Sequence, residues 1–261
     1  MSNQPSAQRT VVVTGAGSGI GKAVADLLRA QGHAVAGVDI RGTEHIADLA
    51  DQAAREAVAR ALLAAHPRID ALIACAGISL PEDGARTVSV NYFGATRLAA
   101  LLRGRLAEAP EPRVVVTASI VNIFPAGQAG VDACLADDEE AARAAGHAAG
   151  QAAYTDSKHA LSHWVRRESV KPEWAGSGIL LNAIAPGTIR TAMAADLFAT
   201  EEGRAFLAAS VPIAVGDYAR PEEIAPLYAF LASAENRFMV GQIPFADGGT
   251  ECLTRGATHP L

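Results

Sequence analysis

A tyrosine and a lysine stand four residues apart in Tyr154-Thr155-Asp156-Ser157-Lys158. On a helix that spacing puts both on one face, where an ammonium can favour the ionised form of a phenol. The pair is a candidate acid–base centre, with Tyr154 as the group that moves the proton. Far upstream, Thr14-Gly15-Ala16-Gly17-Ser18-Gly19-Ile20-Gly21 spaces its glycines so that main-chain amides and a helix N-terminus can approach a pyrophosphate with no side chain between. Asp39 ends the next strand-like run. A carboxylate there accepts hydrogen bonds from the adenosine ribose hydroxyls and repels a 2′-phosphate, which favours NAD over NADP. Arg41 works the other way, since its guanidinium could face such a phosphate or stack on the adenine. A Tyr-x-x-x-Lys run alone occurs on many exposed helices; joined to a dinucleotide turn in one chain, it points to hydride chemistry.

These groups need a scaffold that brings residues 14–21, 39 and 154–158 to one place. Strand-length apolar runs at 10–14, 34–39, 70–75, 113–118, 179–185 and 242–245 alternate with helical periodicity at 20–31, 53–65, 86–107, 153–174 and 221–232. The last helix opens on Pro221-Glu222-Glu223, residues suited to a helix N-terminus. The pattern predicts an α/β fold: a single Rossmann-type, doubly wound parallel sheet with helices on both faces. No repeat, linker or shift of composition divides the chain, so all of residues 1–261 read as one dinucleotide-binding catalytic domain, with 1–8 a flexible tail. One connection is unusually long. Some 35 residues separate Ser119 from Tyr154, and within them Asp137-Asp138-Glu139-Glu140 opens an Ala-rich stretch that reads as an extra helix. This 124–152 insertion is either a solvated surface feature, or a wall of the substrate site or an oligomer contact.

Composition excludes several function classes. Half the residues are apolar and few are aromatic, which suits a layered α/β core. The net charge of −6 comes without basic clusters, which argues against nucleic-acid and anionic-membrane partners. No run approaches the roughly 18 apolar residues of a membrane span, and the polar start lacks a secretory signal, so a cytoplasmic protein is expected. Cys75, Cys134 and Cys252 are odd in number and have no metal-ligand spacing, so neither a disulfide framework nor a metal site is expected. Cys75 and Cys252 read as small buried hydrophobes. His159 and His163 share a helix with Tyr154 but not its face, and read as structural or exposed.

Taken together, the Thr14–Gly21 turn, Asn91 in Val90-Asn91-Tyr92-Phe93-Gly94, Ser119, Tyr154 with Lys158, Pro186-Gly187 and Asp247-Gly248-Gly249 resemble the short-chain dehydrogenase/reductase family over about residues 9–250. Within it, Asp39-Ile40-Arg41-Gly42, Ala47-Asp48-Leu49, the 89–96 run and the insertion look most like the bacterial 3α-hydroxysteroid dehydrogenase/carbonyl reductase group. Two features depart from the family pattern. Ala74-Cys75-Ala76-Gly77 replaces the usual Asn-Asn-Ala-Gly, and Ser119 reaches the catalytic serine position only if the insertion absorbs the extra distance to Tyr154.

The resemblance implies NAD-dependent interconversion of a secondary alcohol and its ketone, with Asn91, Ser119, Tyr154 and Lys158 as catalytic residues. A free phenol titrates near 10, and lowering that by about 3 units requires ~4 kcal/mol, to come from Lys158 and the cationic nicotinamide ring. Ser119 would hold the substrate oxygen, Lys158 the nicotinamide ribose, and Asn91 would link Lys158 to solvent. Cofactor contacts are expected from Gly15, Ser18, Gly19, Ile20, Gly21, Asp39, Ile40, Asp48, Leu49, Ala76, Gly77, Tyr154, Lys158, Gly187, Thr188, Ile189 and Thr191. The 190–212 stretch would close over the substrate. Met193, Leu197, Phe198, Phe206 and Leu207, at near-helical spacing in it, either form with the insertion a greasy pocket for a cyclic, steroid- or terpenoid-like alcohol or simply pack a mobile lid. A carbonyl reductase of small or carrier-bound substrates and a non-catalytic NAD-binding protein are the alternatives. The family also implies a homodimer or homotetramer.

Overall fold

The computed structural model describes residues 8–256. All but the last residue of the expected N-terminal tail lies outside that range. The elements run β1 (Thr10–Thr14), α1 (Gly19–Ala30), β2 (Ala34–Asp39), β3 (His45–Ile46), α2 (Gln52–Ala65), β4 (Ala71–Ala74), α3 (Gly84–Val88), α4 (Gly94–Ala107), β5 (Arg113–Thr117), α5 (Gln128–Leu135), α6 (Glu139–Ala149), α7 (Ala153–Glu168), β6 (Leu180–Pro186), α8 (Ala195–Ala199), α9 (Glu201–Ser210), α10 (Pro221–Leu231), β7 (Phe245–Ala246) and α11 (Thr250–Arg255).

The seven strands form one parallel sheet in the order β3-β2-β1-β4-β5-β6-β7. Its central strands are apolar without interruption because both faces are covered. Along β1, Val12 packs into the core beneath α2, α4 and α7, while Val11 and Val13 pack into the core beneath α1 and α10. In β5, Val114 and Val116 face the first core and Val115 the second. The chain leaves β1 toward β2 and β3, then returns to place β4 on the other side of β1. That reversal opens a crevice at the carboxyl ends of the strands, where ligands of doubly wound sheets bind.

Three differences from the sequence reading have physical causes. The helix expected over 86–107 is interrupted by a π-helical turn, Ser89–Phe93, which carries Asn91 at its centre. Such a turn leaves the apolar pattern intact, so periodicity cannot reveal it. The helix expected over 153–174 stops at Glu168. Pro172 disfavours helical geometry at the residue before it, and the chain instead folds back to stack Trp174 edge-on against Trp164, with ring centroids 5.6 Å apart. The insertion holds two helices, α5 and α6, where the acidic run announced only the second. Asp138 caps α6 by accepting from the Ala141 amide, with Glu139 and Glu140 in its first turn. The buried Arg55 of α2 forks onto Glu139 and also donates to the Leu49 carbonyl at 3.0 Å. Arg143 of α6 reaches Ser89 Oγ in the π-turn at 2.7 Å. Among the described residues no helix is long and apolar enough to cross a membrane.

Candidate active site

One cavity of about 480 Å³ runs along the crevice and is lined by every cofactor residue read from the sequence, from Gly15 through Asp39 to Thr191, together with Ser119, Tyr154 and Lys158. At one end the walls are main chain. Gly15 has φ +70°, and a Cβ there would lie 2.9 Å from the Ala76 nitrogen; a Cβ on Gly21 would lie 2.3 Å from the Gly15 carbonyl oxygen. Only glycine permits this close nesting of turn, helix start and β4 end. Thr14 Oγ1 accepts from the Ala76 amide at 3.1 Å and ties β1 to the loop after β4.

The Asp39 carboxylate is fixed by main chain as well. It accepts from the Gly17 amide at 3.0 Å and from the Ile40 amide at 2.7 Å. The carboxylate therefore stands at the rim of the glycine turn. Asp48 accepts from the Ala50 amide at 3.0 Å and from Arg86 at 2.7 Å. Burial raises its pKa, but those two donors outweigh burial and hold it below the usual carboxylate value. Arg86 lines the same end of the cavity and went unnoticed in the sequence, where a lone arginine opening a helix carries no signal of its own.

At the other end the groups are side chains. Ser119 follows β5 and caps the short turn Ile120–Ile123 by accepting from the Val121 amide at 3.3 Å. The Tyr154 hydroxyl points at Ser119 Oγ across a long 3.4 Å contact. Lys158 Nζ lies 5.7 Å from the Tyr154 ring centroid and donates to the Thr117 carbonyl at 2.7 Å. The insertion thus does absorb the sequence distance, and Ser119 faces Tyr154 in space.

The electrostatics differ from the sequence expectation. Burial pushes the Tyr154 phenol above its usual value, against a smaller opposing pull from the Ser119 hydroxyl. Burial also pushes Lys158 down to about 8, against only a smaller opposing influence from Cys75 beside it. The protein alone does not acidify the phenol, because the ammonium beside it is itself desolvated and turned toward Thr117.

Asn91 departs from the expected layout in another way. It is buried but does not line the cavity. Its amide is held by the Ile78 main chain, accepting at 2.8 Å and donating at 2.9 Å, and it donates to Ser157 Oγ at 3.1 Å. It stands behind Gly77, whose missing Cβ would lie 3.3 Å from Asn91 Oδ1 and 3.5 Å from Lys158 Nζ.

Beyond Tyr154 the cavity turns apolar, lined by Val121, Phe124, Met193, Leu197, Phe206 and Val211. Of the 124–152 insertion, only Phe124 reaches it. The helices α5 and α6 pack instead on α3 and α7, so the insertion is not the broad pocket wall considered above. Phe198 and Leu207 also turn away from the cavity, into a small cluster with Ile120, Val211 and Tyr218. Cys75 lines the cavity, with its thiol pushed up to about 12 by burial, and Cys252 is exposed, so neither is simply a buried core residue.

Comparison with known proteins bears on this geometry. Residues 9–131 match the short chain dehydrogenase family, and residues 140–251 match a family described as enoyl-(acyl carrier protein) reductase. The chain is 35% identical over 255 residues to the 3-alpha-hydroxysteroid dehydrogenase/carbonyl reductase of Comamonas testosteroni, covering 94% of this chain and 97% of that one. It belongs to the short-chain dehydrogenase/reductase family. Other members are similar along their whole length. The cis-4-hydroxycyclohexanecarboxylate dehydrogenase of Sinomonas cyclohexanicum is 32% identical, covering 93% of this chain and 96% of its own. The NADH complex of the 3-alpha-hydroxysteroid dehydrogenase from Pseudomonas sp. B-0831 superposes with a TM-score of 0.88 at 34% identity, covering 96% of this chain and 100% of that one. As a family member the protein is an oxidoreductase that uses a nicotinamide cofactor. The glycine cradle, in which a Cβ at Gly15 or Gly21 would strike main chain, fits such a dinucleotide.

Proposed function

We propose that this short-chain dehydrogenase/reductase is an NAD-dependent enzyme interconverting a hydrophobic, cyclic secondary alcohol and its ketone. One observation carries the reading: a single cavity joins a carboxylate pinned by two main-chain amides at one end to the Ser119–Tyr154 pair and then to an aliphatic and aromatic chamber. Relatives named for hydroxysteroids support it, and one named for cis-4-hydroxycyclohexanecarboxylate shares the cyclic secondary alcohol while carrying a carboxylate.

A bound nicotinamide supplies the hydride acceptor or donor and, when oxidised, a positive charge. The chain's residues do the rest. Ser119 Oγ holds the substrate oxygen and stabilises charge developing on it. The Tyr154 hydroxyl takes the alcohol proton in oxidation and returns it in reduction. Lys158 holds the ribose and lends charge to the phenolate, and Asn91 braces the Ile78 main chain beside it. Gly15, Ser18, Gly19, Ile20 and Gly21 take the pyrophosphate and Asp39 with Ile40 the adenosine ribose. Asp48 and Leu49 flank the adenine, Ala76 and Gly77 the sugar next to it, and Gly187, Thr188, Ile189 and Thr191 the carboxamide. The reading takes the chain as one cytoplasmic catalytic domain with 190–212 as a lid, working as a homodimer or homotetramer that light scattering distinguishes.

The test is NADH formation across steroidal, terpenoid, monocyclic and small aliphatic alcohols, each with NAD and with NADP. The highest kcat/KM should fall on an uncharged cyclic alcohol with NAD. Best efficiency on a charged or very small alcohol, or a preference for NADP, overturns the proposal.

A further inference from the structure

The helix α7 has a second working face. Tyr154 and Lys158 share the face that looks into the cavity, whereas Asp156 and His159, three residues apart, project from another, and Ser162 lies between the two faces. Each of the three holds the segment that leaves Ser119. Ser162 Oγ accepts from Asn122 Nδ2 at 2.6 Å, and Asp156 Oδ1 accepts from the Gly127 amide at 2.6 Å. His159 Nε2 lies 2.9 Å from the Phe124 carbonyl oxygen. A carbonyl can only accept, so Nε2 carries the proton. Phe124 is the residue between these grips that lines the apolar chamber, and it also packs into the cluster of Ile120, Leu207 and Val211.

The segment is shaped to receive the grip. A Cβ on Gly127 would lie 2.8 Å from Asp156 Oδ2, and one on Gly130 would lie 3.1 Å from it. Gly127 has φ −73° and ψ 111°, which any residue can adopt, so its glycine serves the carboxylate contact and not the backbone. Burial lowers the His159 pKa, partly opposed by the Phe124 and Val121 carbonyls, which keeps a neutral ring with a single donor near neutral pH.

We propose that His159, together with Asp156, sets substrate size: from the helix that carries Tyr154 they fix the Phe124 wall, and so the room between wall and phenol. The proposal rests on the functional reading above. Both are positioning residues, since neither lines the cavity. Because base and wall hang from one rigid helix, their separation is set within a single element, and releasing the wall should alter selectivity before it alters chemistry.

The experiment compares kcat and KM of the full chain for a hydroxysteroid and for cyclohexanol, with the NADH dissociation constant followed by fluorescence. His159→Ala should lower the steroid-to-cyclohexanol ratio of kcat/KM about tenfold, mainly through KM, with cyclohexanol kcat and NADH affinity within about twofold of wild type. His159→Gln, whose amide nitrogen can donate to the same carbonyl, should restore the ratio. Gly127→Ala presses on the grip from the other side and should shift the ratio the same way, which keeps the test decisive if His159→Ala folds poorly. An unchanged ratio in both alanine variants, an equal loss on both alcohols, or no rescue by glutamine overturns the clamp. Wild-type protein inactive on both alcohols overturns the functional reading, and the clamp with it.

Discussion

The two ends of the cavity are held by different means. At the dinucleotide end the shape is main chain: glycines at Gly15 and Gly21 let backbone meet backbone, and Asp39 is pinned by two amides. At the reaction end the shape is side chain: Tyr154, Ser119 and Lys158 come from two elements 35 residues apart, each held by one or two contacts. A backbone cradle is rigid and tolerates almost no substitution. A side-chain constellation is tunable, and its chemistry depends on what surrounds it.

Changes at each end should therefore fail differently. The largest effect is expected for Tyr154→Phe, which removes the proposed proton-transfer group and little volume; kcat should fall by about 10³-fold or more while NADH still binds. Near wild-type turnover in that variant would abolish the distinction between the two ends. Gly21→Ala should do the reverse, since its Cβ meets the Gly15 carbonyl at 2.3 Å and neither side is a flexible side chain. Unfolding stability should drop by about 1–3 kcal/mol, with a matching loss of NADH affinity, measurable by thermal melts and fluorescence titration. Asp39→Ala keeps the fold and removes the charge, so the NAD-to-NADP ratio of kcat/KM should fall about tenfold or more.

The smallest effect sharpens the comparison most. Lys158 titrates near 8 in the folded protein against an ordinary 10.5, because burial disfavours its charge. The folded state therefore holds this proton less tightly than the unfolded chain. The resulting cost is full below about pH 8, shrinks as pH rises, and vanishes above about 10.5. Lys158→Met should thus raise stability by about 1–2 kcal/mol at pH 7, net of the donor lost to the Thr117 carbonyl, and should lower it by about 1 kcal/mol at pH 10.5, where the ionisation cost is nearly gone and the lost donor remains. Denaturant unfolding at the two pH values checks this. A variant destabilised at pH 7 would mean that the reaction end, like the cradle, is built for stability.

Much of this was legible because the signals are local. The glycine spacing, the strand ending in Asp39 and the Tyr154–Lys158 interval each lie within a few residues, where strand and helix periods fix relative positions. The split of Val11, Val12 and Val13 between two cores was implied by an uninterrupted apolar strand among helices. What escaped notice arises between distant segments. The ion pair of Arg86 with Asp48, the π-turn around Asn91, the docking of α6 by Arg55 and the turning of Phe198 and Leu207 from the chamber have no local pattern to announce them. Phe124 reads in sequence as the start of an insertion and in space as a wall of the chamber.

The sequence by itself determined the layered parallel sheet, the order of its elements and the family resemblance, and it named the residues proposed to bind a dinucleotide and move a proton, because those follow from residue type and short-range spacing. Only the tertiary structure decided that Ser119 faces Tyr154 across the insertion, that Asn91 stands behind the cavity, and that burial drives the phenol up and the ammonium down. Separation in space and desolvation are properties of the packed chain as a whole, and no window of sequence contains them.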